Sequence, residues 1–350
     1  MEPFSGTGTT ELVCANKGIS SFALEINPFL VWLGNAKLGI YHRDKVEEFL
    51  SIANTLMQHI EEYVPTDFPP IYNIYRWWNP PQAEFLAKLK SAIKTVEDDA
   101  VVQLLTVSFC RIVIELSNAA FNHVSTSFKD GNEGFFSIDI AKEAFISVCE
   151  MVAKGALLQP RATSKVLLHD SRSIPAECYG AYDTVITSPP YPNRISYIRE
   201  LRPYMYWLDY LETSDQASDL DWQAIGGTWG RATSLLGTWK SDHSLPQYVY
   251  DIAEKISNAD NKSAGLMANY VLKYFEDMQK HLSSVYAGLA AKGRVFYIIG
   301  NSNFYNITVP AEKIYVDMMT TIGFVDVEYH IVRKRNCNKQ LYEFVVSGQK

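Results

Sequence analysis

Tyr182-Asp183-Thr184-Val185-Ile186-Thr187 runs without interruption into Ser188-Pro189-Pro190-Tyr191. The apolar, β-branched centre of the first part reads as a short strand. The two prolines fix the backbone just after it and remove two N–H donors, which leaves carbonyl oxygens facing whatever lies beyond the strand end. Upstream, Val166-Leu167-Leu168 is a second short apolar run, and it closes on His169-Asp170. In an open α/β sheet, ligands bind beyond the carboxyl ends of the strands. Both Asp170 and the Ser188–Tyr191 segment fall there.

A third constellation opens the chain. Glu2-Pro3-Phe4-Ser5-Gly6-Thr7-Gly8-Thr9-Thr10 is a glycine-rich turn that leads into a helix over Thr10–Lys17. Glycines let a backbone approach a ligand closely, and a helix N-terminus offers free N–H groups. A bare Gly-x-Gly is a weak signal, and a plain turn competes with it. Its setting adds weight: the strand Ser21–Glu25 ends in a carboxylate about twenty residues on, where α/β cofactor sites hold ribose hydroxyls. Glu25 taken alone reads equally as a solvated strand end.

Around these segments the chain divides into regions. Apolar residues recur at three- and four-residue steps in Val46–Ile60, Glu84–Ile93, Ala100–Leu116 and Ile138–Val152, which predicts helix after helix. A Pro/aromatic stretch, Pro65 to Pro81, interrupts them. From 163 onward strands and helices alternate: a long amphipathic helix over Tyr270–Leu289, a strand over Val295–Ile299, a helix ending at Gly323, then strands near Val325–Val332 and Leu341–Val346. Alternation of this kind implies an α/β fold, a largely parallel sheet with helices on both faces. The reading is therefore one catalytic domain from residues 1–35 and 163–350, with a helical insertion at 36–162 and a polar, loop-rich insertion at 211–262.

Composition bounds the class. The chain has 350 residues, 47% hydrophobic and 20% charged, with mean hydropathy −0.10 and net charge −7. No apolar run approaches the roughly 18 residues of a membrane span. The N-terminus lacks the basic-then-apolar pattern of a secretory signal. Cysteines 14, 110, 149, 178 and 337 form no Cys-x-x-Cys pair. That argues against disulfides or zinc and places the chain in the reducing cytoplasm. The seven histidines are isolated, so no metal site is assigned. Acidity does not advertise nucleic-acid binding, but one basic cleft is compatible with it.

An amino nitrogen that must be alkylated needs acceptors for its hydrogens, a lone pair aimed at an electrophile, and an aromatic face against its ring. Ser188, Pro189, Pro190 and Tyr191 supply these groups. The sequence here resembles the amino-methyltransferases of DNA. Their cofactor loop, Asp-Pro-Phe-x-Gly-x-Gly-Thr, matches Glu2–Thr9 with Glu for Asp, and their motif (Asp/Asn/Ser)-Pro-Pro-(Tyr/Phe/Trp) matches Ser188–Tyr191. The resemblance covers 1–30 and 165–350. Asn79-Pro80-Pro81-Gln82 is a decoy, without aromatic or preceding strand.

The resemblance implies a Rossmann-like fold dependent on S-adenosylmethionine. It implies cofactor contacts from Glu2, Phe4, Gly6, Gly8, Thr9, Thr10, Glu25 and Asp170. It implies direct transfer to a base turned out of double-stranded DNA. Ser-Pro-Pro-Tyr usually accompanies cytosine N4 methylation in that family, and Asp-Pro-Pro-Tyr adenine N6. No Pro-Cys pair is present, which weighs against carbon-5 chemistry through a cysteine nucleophile. An RNA or protein-amide methyltransferase and a non-catalytic binding subunit remain open, as does a restriction partner.

Secondary features carry two readings each. Arg194, Arg199 and Arg202 follow the motif and could contact phosphates, or form a solvated helix face. Gly300-Asn301-Ser302 could shape the pocket or be a plain turn. Arg333-Lys334-Arg335 with Lys339 is a basic hairpin candidate that could meet a DNA backbone or be a solvated strand end. Trp77-Trp78 reads as core in preference to a stacking platform. Family members also place a buried apolar strand before the cofactor loop, and here only Met1 precedes Glu2. The expectation is that the first sheet strand is missing, through truncation, a misassigned start or completion by an upstream polypeptide or second subunit, with weak cofactor binding by this chain alone.

Overall fold

The computed structural model describes residues 1–120, 127–128, 136–335 and 340–350. Six strands form the main framework: β1 (Ser21–Glu25), β2 (Ser164–Leu168), β3 (Tyr182–Thr187), β4 (Leu289–Gly300), β5 (Val325–Lys334) and β6 (Tyr342–Gln349). β1 and β2 pair in parallel from Ser21↔Ser164 to Glu25↔Leu168. β3 and β4 pair in parallel, and β6 lies antiparallel between β4 and β5.

Met1 and Glu2 join the two halves. The Glu2 N–H donates to the Phe22 carbonyl and the Leu24 N–H to the Glu2 carbonyl, both at 2.9 Å. On the other side the Met1 ammonium donates to the Thr184 carbonyl at 2.7 Å, and the Ile186 N–H to the Met1 carbonyl at 3.1 Å. The order is thus β2–β1–(Met1-Glu2)–β3–β4–β6–β5. Met1 and Glu2 lie where the strand expected before the cofactor loop would run, hydrogen-bonded to both neighbours. Strand order reverses at this point, the place where open α/β sheets form their ligand crevice.

Two features depart from the expected sheet. β6 runs against the others, because the short connection from β5 can only join antiparallel neighbours. Helices also do not cover both faces throughout. Ala23 and Val166 face α2 (Pro28–Leu38), and a Cβ on Gly34 of α2 would stand 2.9 Å from Val166 Cγ2. Val185, Val295, Tyr297 and Phe344 are buried on the other face, against α11 (Ala264–Gly288) and α12 (Ala311–Ile322). Across β3 the first face is open, and Ile186 is 44% exposed. The Asn35 side chain closes the β2 edge, donating to the Val166 carbonyl at 2.8 Å and accepting from its N–H at 3.1 Å.

The helical periodicities become α3 (Arg43–His59), α4 (Pro80–Ile93), α5 (Asp99–Glu115) and α6 (Ile138–Ala156). Asn79-Pro80-Pro81 begins α4, with proline at its first turn. This region shares one core with α2, through Phe29, and with α7 (Tyr197–Trp207), through Met205 and Trp207. Trp77 and Trp78 are buried in that core, their rings stacked 5.9 Å apart, so neither is an open platform.

The segment 211–262 is a correction to the expectation of loops. It contains α8 (Ser214–Gln223), α9 (Arg231–Thr238) and α10 (Gln247–Ser257). Polar residues dominate these helices because each buries only a narrow stripe, such as Val249, Ala253 and Ile256 on α10. Among the described residues no helix is long and apolar enough to cross a membrane.

Candidate active site

The glycine-rich turn owes its shape to backbone geometry that side chains resist. Gly6 has φ +53° and Gly8 φ +73°. Gly8 caps α1 (Thr9–Asn16), and a Cβ on it would meet Gly34 Cα at 2.9 Å, so two glycines let the turn settle on α2. At Gly6 nothing lies within 4 Å of where a Cβ would stand. That empty space opens into a cavity whose walls include Pro3, Phe4, Gly6, Glu25, Asn27, His169, Asp170, Ser188 and Pro190. The strand-end carboxylates, the turn and the Ser-Pro-Pro segment therefore converge on one crevice.

Glu25 is held by backbone donors, Gly6 N–H at 2.8 Å on one oxygen and Asn27 N–H at 2.9 Å on the other. Burial raises its pKa, and these hydrogen bonds work in the opposite direction. Asp170 is held differently. Arg172 reaches both carboxylate oxygens, with Nε at 3.0 Å from each and Nη2 at 2.6 Å from Oδ2. Burial alone would raise the Asp170 pKa, but the hydrogen bonds and charge of Arg172 outweigh it and lower it. Phe4 packs on His281, ring centroids 4.7 Å apart. Burial pushes His281 down to about 3, so it is a neutral filler bonded to Tyr297 Oη at 2.9 Å.

Other expected contacts do not line the cavity. Glu2, Gly8, Thr9 and Thr10 are not among the lining residues. Glu2 is 4% exposed and ties the turn to β3. Its carboxyl accepts from the Thr187 hydroxyl, from the Phe4 N–H at 3.0 Å and from Thr10 Oγ1 at 3.1 Å. Burial raises its pKa to about 8. Lys37 holds the turn from outside, donating to the Thr7 carbonyl at 2.6 Å.

In the Ser-Pro-Pro-Tyr segment, Ser188 is exposed at the cavity and Pro189 is buried. The Pro190 carbonyl is already occupied by Tyr274 Oη at 2.7 Å, which in turn lies 3.1 Å from Tyr315 Oη. Tyr191 stands beside the cavity, its ring against Gly300, where a Cβ would come within 3.0 Å of the ring carbons. The Arg335 guanidinium sits 5.8 Å from the Tyr191 ring centroid and donates to the Asn301 carbonyl at 3.2 Å.

The arginines separate by environment. Arg194 is exposed, and Arg199 half-buried, beside the motif. Arg202 points inward, 5.1 Å from the Trp77 ring and 5.2 Å from Trp229. Arg333 pairs with Glu343. Cys337 and Lys339 lie outside the described residues.

Sequence reading missed Asn27, Arg172, Tyr197 and the segment Gln223-Ala224-Ile225, all placed at the crevice. Gly226-Gly227 was the available signal for the last of these. Gly226 has φ +79°, and a Cβ on Gly227 would stand 1.7 Å from the Asp221 carbonyl oxygen, so the turn is pressed against α8.

In an alignment 345 positions long that covers 89% of this chain and 72% of the other, the chain is 21% identical to the type II methyltransferase M.MvaI of Kocuria varians. No family model and no solved structure matches it. The chain is thus distantly similar to a methyltransferase, and its own structure is a mixed α/β fold.

Proposed function

We propose that this chain is an S-adenosylmethionine-dependent DNA methyltransferase with a Rossmann-like fold, acting on an exocyclic amino group, cytosine N4 foremost. One observation carries the reading: Gly6, Glu25 and Asp170 share a single crevice with Ser188 and Pro190. The residues fit the donor. Glu25 would take the ribose hydroxyls and Asp170 the adenosyl end, and the vacant space at Gly6 admits close approach to the backbone. When bound, S-adenosylmethionine supplies a methyl carbon on a positively charged sulfur, which keeps the bonding electron pair.

The chain's own groups handle the base. Tyr191 stacks on the ring turned out of the duplex. Ser188 Oγ and the Pro189 carbonyl accept the amino hydrogens and leave the nitrogen lone pair free; the Pro190 carbonyl is spoken for by Tyr274. The displaced proton leaves past the exposed Ser188 hydroxyl to water. Orientation supplies much of the rate, and no covalent intermediate forms. Double-stranded DNA is the partner, with Arg194, Arg199 and Arg335 on the phosphate side, and with the helical region 36–162 in target recognition or support. Met1 and Glu2 hydrogen-bond to both β1 and β3, which supports a formed turn for the cofactor, and calorimetry on this chain measures whether binding is weak.

The test is incubation with labelled S-adenosylmethionine and unmethylated duplex DNA, with nucleosides identified by mass spectrometry. N4-methylcytosine is expected, and Ser188→Ala and Tyr191→Ala each abolish it. N6-methyladenine would change the base. Label in RNA or protein alone, or no transfer at all, would overturn the proposal.

A further inference from the structure

Arg172 is the most heavily bonded side chain at the crevice. It chelates Asp170 through Nε and Nη2. Nη1 donates to Asp277 Oδ1 on α11 at 2.9 Å. Nη2 also donates to the Gln223 carbonyl at 2.7 Å. Asp277 is itself anchored by Lys273 at 2.6 Å, one turn earlier on α11. Three parts of the fold thus meet on one guanidinium: the β2-end carboxylate, the long helix beneath the sheet, and the segment Gln223-Ala224-Ile225 that roofs the crevice.

Ile225 anchors the inner side of the roof in the core beside α11, and the roof's backbone hydrogen bonds are local. The Ala224 N–H donates to the Leu220 carbonyl at 3.0 Å and the Gly227 N–H to the Ala224 carbonyl at 3.1 Å, both within the same local turn. Asp221 fastens the far side, accepting from the Ser196 hydroxyl and from the Trp229 N–H at 2.7 Å. On the Asp170 side the Arg172–Gln223 bond is the tie. A planar guanidinium suits this work, because its donors are fixed in one fork and can serve a carboxylate and a carbonyl at once.

We propose that Arg172 is the positioning residue of this crevice: it holds Asp170 aimed, and latches the 223–225 roof to it. The proposal rests on the adenosyl-cofactor reading of the cavity. The latch couples the place of the roof to that of the carboxylate, so both walls of the crevice are set by one guanidinium. Arg172 touches neither the methyl group nor the base in this scheme, so it acts on binding and leaves the transfer step to Ser188–Tyr191.

Two measurements test it. Hydrogen–deuterium exchange on the ligand-free chain reads the latch without any ligand. Arg172→Met should raise exchange across 221–227 several-fold, while peptides of β3 and β4 stay unchanged. Calorimetry with S-adenosylhomocysteine from pH 5 to 8 reads the effect on binding. Arg172→Met should weaken binding about tenfold at pH 7.5, with the loss growing toward pH 5 as Asp170, no longer held low, takes up a proton. Arg172→Lys should restore part of the affinity, and Asp277→Asn should weaken it in the same direction but less. Those two variants carry the test if Arg172→Met does not fold. Unchanged exchange over 221–227, or binding within twofold of the parent with a parallel pH profile, overturns the latch. Failure of the parent chain to bind S-adenosylhomocysteine overturns the cavity's assignment and this proposal's ligand half, while the exchange result still decides the roof.

Discussion

Replacing Glu2 by glutamine should make the protein more stable in alkaline conditions. The carboxyl is 4% exposed, and burial raises its pKa from 4.5 to about 8. The folded chain therefore keeps a proton on Glu2 over a range in which the unfolded chain releases it. Stability must fall as pH climbs through that range and level off above it, because the folded state binds more protons there. The interval is three and a half pH units at ~1.36 kcal/mol each, so the parent loses about 5 kcal/mol from this group between pH 4.5 and 8. Glutamine has the same shape and no charge to bury. Its carbonyl accepts from Thr187 and the Phe4 N–H as Glu2 Oε1 does, and its amide donates to Thr10, whose hydroxyl turns to accept. Urea unfolding at pH 5, 7, 8 and 9 measures the difference. Parent and variant should agree within about 1 kcal/mol at pH 5, the size of one exchanged hydrogen bond. The variant should be several kcal/mol ahead at pH 9. Parallel profiles would refute the reasoning. A variant that weakens toward pH 9 would show that Glu2 is ionised and favourably so.

Two further outcomes follow from the motif's surroundings. Tyr274→Phe removes the donor to the Pro190 carbonyl and should cost about 1 kcal/mol in stability. It should also lower the methyl-transfer rate more than it changes cofactor affinity, as separate kcat and KM values would show. Gly300→Ala places a methyl group 3.0 Å from the Tyr191 ring and 3.2 Å from Arg335 Nη1. It should leave S-adenosylhomocysteine binding intact and reduce transfer at least tenfold, and equal transfer by this variant would remove Tyr191's fixed ring from the mechanism.

Much of the crevice was legible because its signals are local. A glycine turn before a helix, a carboxylate at a strand end and two prolines after a strand each declare backbone geometry within ten residues. The four helical periodicities emerged as α3 to α6 for the same reason: a 3.6-residue repeat is a property of one segment. The segment 211–262 misled because its helices bury narrow stripes and its polar composition resembles loops. The reversed β6 had its signal in the basic hairpin candidate at Arg333-Lys334-Arg335 and Lys339, since a short connection joins antiparallel neighbours.

What the chain discloses when read alone is which backbone turns and which chemical groups it can offer: the Glu2–Thr10 turn, Glu25, Asp170 and Ser188–Tyr191. Folding decided what each of them faces. Glu2 turned from the crevice to brace Thr187, 185 residues away. Asp170 gained a fixed partner in Arg172, and Arg172 a second anchor in Asp277, 105 residues on. Tyr274 took the Pro190 carbonyl from the middle of α11. Turn and strand preferences act between chain neighbours, so they can be read in order along the sequence. Side-chain partners and desolvation depend on which segments pack together, and that is settled only when the sheet and its helices close around the crevice.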